Sequence, residues 1–371
     1  MTYQTIVIDN GSFHQKVGFA GSIEPFVEKS TRHNSIDGIE DTWSQCFYET
    51  LRVNPEDHPI LLTDAVLRTP EEKQTAAEII FETFNVPALH IAPQSILSLI
   101  SSFAYEEVEP SDLTGLILDS GHSSTNVVPV VDGRVLTSKI KSLNVGGKQI
   151  ISHIQQHLRK RKEPMPNNMQ LEIATSIKET LTYVCPNIEK EHIRFDGNPE
   201  KHVKIYQGIE KKTGERFECQ VQHERFLAPE LIMEPKLIDE SFTESLAEMV
   251  DNTIQSCPVD TRRRLYNNII LSGGNTSFPH FEKRLQKDVK ELIHDRLSTS
   301  NAIEGIHYNS SDLKVTEVNV SKNHAGIFSA WFGGSIVASS SDFQSHCFTK
   351  ENYEEEGAYF FRKNDAFNIP F

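Results

Sequence analysis

A hairpin design that occurs twice constrains this chain more than any other feature. Thr5-Ile6-Val7-Ile8-Asp9-Asn10-Gly11-Ser12 and Gly115-Leu116-Ile117-Leu118-Asp119-Ser120-Gly121-His122 lie about 110 residues apart and share one plan. Each is an apolar, β-branched-rich run that ends in an Asp, a polar residue, a Gly and another polar residue. An uncharged run of this kind predicts a strand buried on both faces. The Gly lets backbone N–H groups come close to a phosphate, and the Asp is placed to hold a hydrated cation beside it. A pair of such turns predicts two similar half-domains facing each other across a nucleotide.

At 371 residues the chain exceeds what one small core organises, and two lobes of ordinary domain size are expected. With 37% hydrophobic and 24% charged residues, its composition is globular. A formal charge of −15 argues against non-specific binding to nucleic acid or an anionic membrane. The main exception is Arg159-Lys160-Arg161-Lys162. It follows an apolar-periodic stretch (Ile150, Ile151, Ile154, Leu158) and reads as a solvated helix end favoured by the helix dipole. The five cysteines are scattered and form no CxxC, so reduced thiols in an intracellular protein are expected. No apolar run approaches the roughly 20 residues that span a bilayer. Met1-Thr2-Tyr3-Gln4 lacks the basic start of a signal peptide. A soluble, cytosolic or nuclear protein is the expectation.

The first half alternates strand and helix. Lys16-Val17-Gly18-Phe19-Ala20-Gly21 reads as the strand returning from the first hairpin. Thr69-Pro70-Glu71-Glu72 announces a helix with an N-cap, a first-turn Pro and a capping-box Glu. Ala76, Ile79, Ile80 and Phe84 continue it at helical spacing up to Asn85-Val86-Pro87, and a second helix carries Ile96, Leu97, Leu99 and Ile100. The acidic stretch from Glu106 to Asp112 reads as a loop and a lobe boundary. From Pro164 to about Pro235 the text is more polar and reads as an insertion, with short strands at Val203 to Tyr206 and Arg216 to Val221. Asn268-Ile269-Ile270-Leu271 then enters Ser272-Gly273-Gly274-Asn275-Thr276, ahead of a helix bearing Phe281, Leu285, Val289, Leu292 and Ile293. Strand, Gly-Gly turn and helix together offer backbone donors to a phosphate or sugar. A further Gly-Gly turn in Trp331-Phe332-Gly333-Gly334-Ser335 opens a short helix, with close packing under an aromatic pair as its plainer reading.

This ordered set resembles the actin superfamily. Asp9-Asn10-Gly11-Ser12 with Gly18-Phe19-Ala20-Gly21, then Asp119-Ser120-Gly121, Leu271-Ser272-Gly273-Gly274 and Trp331-Phe332-Gly333-Gly334-Ser335, fall in the superfamily's order and nearly its spacing. Longer strings narrow the resemblance to the actin-related subunits of the complex that nucleates branched filaments. Among these are Asn54-Pro55-Glu56-Asp57-His58, Phe81-Glu82-Thr83-Phe84-Asn85-Val86-Pro87 and Cys257-Pro258-Val259-Asp260-Thr261-Arg262-Arg263. The resemblance implies an α/β, actin-like ATPase fold: two duplicated ribonuclease-H-like lobes around a nucleotide cleft. Residues 1–101 with 330–371 would form the first lobe, 102–145 with 237–329 the second, and 146–236 an insertion in the second.

Carried over residue by residue, the resemblance implies a site for ATP or ADP with Mg2+. Gly11, Ser12 and Phe13 would give donors to the phosphates and Lys16 a charge, while Asp9 and Asp119 would hold water around the cation. Ser120 and Gly121 would close the second hairpin. Lys178 and Glu179 would face base and ribose, Gly273 and Gly274 would lie against the nucleoside and α-phosphate, and Phe328 would pack on the purine. Gln94 matches the glutamine that positions the attacking water. The implied partners are actin-related protein 2, the small subunits of the branching complex and actin, with no nucleic acid and no membrane, in the cytoplasmic cytoskeleton.

Three departures bear on activity. His122 and Asn126 stand where the superfamily has a carboxylate and a histidine that organise cation and water, so hydrolysis is expected to be weak or absent. His122 beside a phosphate site reads as an added donor rather than a base. Only ten residues separate Gly21 from Arg32-His33, an interval that in the superfamily holds most of a small subdomain, the second. Its loss would remove one wall of the cleft and weaken water exclusion. Ile327, before Phe328, replaces a basic residue. The leading expectation is a non-catalytic, nucleotide-stabilised subunit that templates or caps actin-like protomers. The alternatives are a slow ATPase or sugar kinase on the same fold, and a subunit of another assembly such as a dynein-activator pointed-end cap or a chromatin remodeller.

Overall fold

The computed structural model describes residues 4–29, 36–104, 113–304 and 317–363. The stretch from Glu106 to Asp112 and the pair Arg32-His33 lie outside the described residues. The chain opens with the hairpin β1 (Ile6–Asn10) and β2 (His14–Phe19), then β3 (Phe26–Lys29) and α1 (Ile36–Ser44). A π-helical turn over Gln45–Leu51 extends α1 and leads to β4 (Ile60–Asp64). Next come α2 (Pro70–Glu78), β5 (Ala88–Pro93) and α3 (Gln94–Ser102). The second hairpin is β6 (Gly115–Ser120) and β7 (Thr125–Val131), followed by β8 (Arg134–Val135) and β9 (Lys141–Leu143). Helices α4 (Gly147–Lys160), α5 (Gln170–Leu181), α6 (Ile188–Gly197) and α7 (Pro199–His202) precede the hairpin β10 (Lys204–Ile209) and β11 (Arg216–Val221). Then follow α8 (Glu224–Met233), α9 (Leu246–Ser256), α10 (Val259–Asn267), β12 (Ile269–Ser272) and α11 (Phe281–Glu304). The described chain closes with β13 (Val320–Lys322), α12 (Ser329–Ala338), β14 (Phe348–Thr349), α13 (Lys350–Glu356) and α14 (Phe360–Lys363).

Two six-stranded sheets carry the architecture, ordered β14-β5-β4-β1-β2-β3 and β13-β12-β6-β7-β8 with β9 beside β7. The chain falls into two compact units: Met1–Asp119 with Val128–Ile140 and Asn323–Phe371, and Ser120–Val127 with Lys141–Lys322.

In the first unit, β1 runs antiparallel to β2 and parallel to β4. Ile6, Val7 and Ile8 are fully buried, as an uncharged central strand requires. The β1–β2 register sets Asp9 opposite Lys16 and Asn10 opposite Gln15, which decides the ion pairing described below. The capping box of α2 forms as read: Glu72 N donates to Thr69 Oγ1 at 3.2 Å, and Thr69 N donates to Glu72 Oε2 at 2.8 Å. Beyond Glu78, however, the helix widens into a π-helical turn over Ile79–Thr83 and stops at Asn85 with φ 54°. The wider turn lets Ile79, Ile80, Phe81 and Phe84 all face the core, each at most 5% exposed, whereas a 3.6-residue period would turn part of that cluster outward.

Gly333 and Gly334 sit inside α12 rather than in a turn that opens it, which corrects the sequence reading. Packing dictates them: a Cβ on Gly333 would lie 1.8 Å from the carbonyl oxygen of Leu97 in α3. Trp331, fully buried, donates its indole N–H to the Val7 carbonyl at 3.0 Å and lies where a Cβ on Gly18 would strike it. The aromatic does lock this helix to the sheet.

In the second unit, α4 buries Ile150, Ile151, Ile154 and Leu158, and α5 buries Ile173, Ala174 and Ile177. The basic run at the end of α4 is only partly solvated. Arg161 grips the fully buried Glu224 through two bonds of 2.5 and 2.9 Å and reaches the Gln220 carbonyl at 2.8 Å. One of the four basic residues, Arg161, is therefore an ion-pair anchor, a pairing invisible to local pattern because Glu224 is far along the chain. All five cysteines are buried and none forms a disulfide. Burial pushes the Cys46, Cys185 and Cys347 thiols up to about 12, with nearby carboxylates adding to the rise at the first two.

On α4, His153 and His157 are one turn apart with ring centroids 4.3 Å apart, and His153 Nε2 is buried without a hydrogen-bond partner. Burial, reinforced by His157, lowers the His153 imidazole from 6.5 to about 4. Between those values the unfolded chain binds more protons than the folded one, so stability falls as pH drops from 6.5 towards 4. The slope is at most about 1.4 kcal/mol per pH unit for one proton. His153→Leu is expected to flatten that limb in urea melts taken from pH 7 to pH 4.5; an unchanged slope would place the acid sensitivity elsewhere.

Candidate functional site

The first hairpin assembles its chemistry around Asp9. The carboxylate is 2% exposed at the end of β1. Lys16 Nζ stands 2.8 Å from its Oδ2, while Thr63 Oγ1 and Gln94 Nε2 each donate to Oδ1 at 2.7 Å. Burial alone would raise this carboxyl, but the Lys16 charge and the bonds from Lys16, Thr63 and Gln94 more than offset it and hold the group below 3.8. Asp9 is thus a dry carboxylate held ionised at neutral pH, the kind of group that orients water around a divalent cation. Asn10, beside it, accepts from Gln15 Nε2 at 2.9 Å and Trp43 Nε1 at 3.0 Å, which fixes the turn from behind. A Cβ on Gly11 would meet the His14 carbonyl oxygen at 2.3 Å, so only glycine permits this tight turn. Ser12 and Phe13 complete the turn, with Phe13 edge-on to His14 at 4.5 Å.

The second hairpin is held by a different set. Asp119 is half-buried near the end of β6, next to the fully buried Ser120. Ser120 Oγ and Thr125 Oγ1 are 2.8 Å apart, and Thr125 Oγ1 donates to the Val145 carbonyl at 2.8 Å. Gly121 N donates to Ser124 O at 2.9 Å, closing the turn. Asn275 Nδ2 then donates to Ser120 Oγ at 3.1 Å and to the Gly121 carbonyl at 2.6 Å. The backbone N–H groups of Gly147 and Lys148, at the start of α4, bond the Gly121 and His122 carbonyls at 3.0 and 2.9 Å. Gly146 tolerates no Cβ, which would lie 2.7 Å from both of those oxygens.

Two further candidates, Lys178 and Asn275, lie against this clasp in the same unit. A Cβ on Gly147 would fall 2.7 Å from Lys178 Nζ and 3.3 Å from Asn275 Oδ1. Asn275 Oδ1 is buried with no hydrogen-bond partner, and burial lowers the Lys178 ammonium to about 8, opposed by Glu179. Lys178 also lies over the Phe278 ring at 5.8 Å, while Glu179 is exposed. Gly273 has φ 85°, and its carbonyl accepts from Thr276 Oγ1 at 2.8 Å. The Gly-Gly segment leads into a 3₁₀ turn over Gly274–Ser277 rather than directly into α11, so it offers glycine backbone and not a long helix's N-terminus. Phe328 ends the 3₁₀ turn before α12, half-buried, with Ile327 beside it 43% exposed.

The first unit offers a glycine turn beside an ionised buried carboxylate, and the second a glycine turn beside a desolvated lysine and an orphaned amide oxygen; each set suits part of a phosphate- and cation-bearing ligand. The sequence reading missed Thr63, Trp43, Asn275 as a clasp, and Gly146-Gly147. The last had a signal, a third Gly-Gly ahead of the amphipathic stretch of α4.

The profile of the actin family, described as "Actin", matches residues 22–364. Similar curated proteins include actin-related protein 3 of Acanthamoeba castellanii, 42% identical over 339 residues that make up 91% of this chain and 79% of that protein. The protein of that name from Drosophila melanogaster is 39% identical over 409 residues, covering 97% of each chain. The one from Oryza sativa subsp. japonica is 36% identical over 422, covering 98% of this chain and 97% of its own. That alignment is longer than the 371 residues available here, so the relative carries residues this chain lacks.

Proposed function

Because this chain belongs to the actin family, we propose that it is a nucleotide-binding subunit of the assembly that nucleates branched actin filaments, hydrolysing ATP slowly or not at all. The observation that carries this reading is likeness across 97% of both chains to a protein named actin-related protein 3. Its partners would be actin-related protein 2, small subunits and actin, in the cytoplasmic cytoskeleton. Gly11, Ser12, Phe13, Lys16, Ser120 and Gly121 are the proposed phosphate donors, and Asp9 and Asp119 the proposed holders of water on Mg2+. Lys178, Glu179, Gly273, Gly274 and Phe328 are proposed for the nucleoside. Bound nucleotide would supply a polyanion whose binding free energy adds to the stability of the folded state.

Slow hydrolysis is supported by how the polar groups are committed. Asn126 donates to Ser124 Oγ at 3.3 Å and accepts from Ser142 Oγ at 2.6 Å, and a carboxamide takes up no proton from water. The Gln94 amide nitrogen is engaged by Asp9 and, at 3.2 Å, by Thr63. Neither of these two amides is the oriented base that in-line attack demands.

Gentle purification of the untagged protein from its own cells, at low ionic strength, tests the reading. Recovery with actin-related protein 2 and a set of small subunits is expected, with ATP retained and little phosphate released in a single-turnover assay. Recovery alone, or with dynein-activator or chromatin proteins, would overturn the partner assignment; fast phosphate release would overturn the slow-hydrolysis half.

A further inference from the structure

We propose that His192, Asp196 and His223 form a binding site for a divalent transition ion of the zinc type, independent of the nucleotide and of the assembly proposed above. His192 and Asp196 lie four residues apart on α6, which puts both on one helical face. His223 immediately precedes α8, at the junction with β11. One ligand atom from each residue lies within 4.8 Å of the other two, and His223 Nε2 is 2.9 Å from Asp196 Oδ1. Tetrahedral zinc at about 2.0–2.1 Å from nitrogen and oxygen requires donors about 3.3 Å apart. The carboxylate and His223 therefore already stand within a few tenths of an ångström of a coordination edge, and His192 lies within 4.8 Å of both.

Packing holds the two imidazoles for this purpose. Their rings stack with centroids 5.4 Å apart and planes within 29°. Phe195 lies 4.1 Å from the His223 ring, and Phe226 meets the His192 ring edge-on at 5.1 Å. Both phenylalanines are buried, so the histidine rings rest on a fixed aromatic floor. Asp196 is 67% exposed and His223 30% exposed, so the site opens to solvent and a fourth position is left for water or a partner's donor. Two imidazoles and one carboxylate suit zinc-like ions rather than Mg2+ or Ca2+, which prefer all-oxygen shells.

A simple hydrogen bond between Asp196 and His223 would explain the 2.9 Å contact without any ion. It would not explain the third residue. His192 brings a second imidazole to the same acid, and His223, though it stands at the N-cap of α8, makes no side-chain cap bond there. A bound ion would tie α6 to the start of α8 across the intervening hairpin β10–β11 and add its binding free energy to that unit's stability.

The test uses the full, untagged chain loaded with Mg-ATP, so that the nucleotide's own demand for a divalent ion is already met. Zn2+ is titrated in competition with a chromogenic chelator, and Co2+ serves as the spectroscopic probe. One equivalent is expected, with a visible Co2+ band of low-coordinate nitrogen and oxygen ligation and a melting temperature raised by Zn2+. His192→Gln and His223→Asn should each weaken binding about 100-fold and lose the thermal shift, while melting like the unsubstituted protein in metal-free buffer. His192→Gln alone serves if the other variant fails to fold. No saturable binding, binding unchanged in the variants, or a thiolate-to-cobalt band showing that the cysteines hold the ion would each overturn the proposal.

Discussion

Asp9→Ala is expected to lower the unfolding free energy by about 3 kcal/mol and to abolish retention of Mg-ATP. The substitution removes more than a cation's water-holder. It strands the ammonium of Lys16, whose side chain is only 15% exposed, and takes the acceptor from both Thr63 and Gln94. An uncompensated charge and orphaned donors cost more than the original pair contributes, because their desolvation is not repaid. The same carboxylate gives the prediction a pH signature. Its folded value is below 3.8, so its stabilisation is complete above 3.8 and is lost as pH falls through the lower folded value. Wild type and variant should differ most near neutrality and converge in strong acid. Urea melts at pH 7 and in acid, with gel filtration to quantify retained nucleotide, check both halves. A variant that still holds stoichiometric nucleotide would remove Asp9 from the site.

Gly333→Ala is the second large effect. A single methyl group placed 1.8 Å from the Leu97 carbonyl oxygen cannot be absorbed by a rotamer change, because the obstructing atom is backbone. α12 and α3 would have to separate, and their contact supports the buried Trp331 and the centre of the first sheet. Overpacking of this severity is expected to cost about 3 kcal/mol or more, a fall in melting temperature on the order of 10 °C, and most of the soluble yield. Gly334→Ala provides the contrast. Its Cβ would meet side-chain atoms, Val7 Cγ1 at 2.9 Å and Leu61 Cδ2 at 3.1 Å, which can shift. The Gly334 variant should lose less than the Gly333 variant in a thermal melt; equal melting of the two would refute the backbone-contact argument.

What the sequence disclosed about this molecule follows the range over which each feature is determined. The hairpins were legible because strand burial, tight turn and acidic residue are all encoded within eight positions, and the α2 capping box because it spans four. Asp9 could be picked out for the same reason. Its partners could be read only in part: Lys16 lies across the hairpin, but Thr63 reaches Asp9 from β4, 54 residues on. Arg161 looked like one of four solvated charges until the fold brought Glu224 to it from 63 residues away. The π-helical turn after α2 was hidden because Ile79, Ile80, Phe81 and Phe84 fit a helical rule loosely, and only the shape of the core decides which local winding buries them all. Gly333-Gly334 carried the signature of a turn, yet its cause is the distance between two helices. His192, Asp196 and His223 left no motif, since a ring stack across two helices has no spacing rule.

The burial of all five thiols has a practical corollary. Cys46 and Cys347 belong to one compact unit, and Cys185, Cys219 and Cys257 to the other. None can react while its surroundings stay closed, and those whose pKa is pushed up also resist forming the reactive thiolate. Each cysteine is therefore a built-in clock for the opening of its own neighbourhood. Pulsed alkylation read peptide by peptide would time the two units separately, with no label introduced and no residue changed.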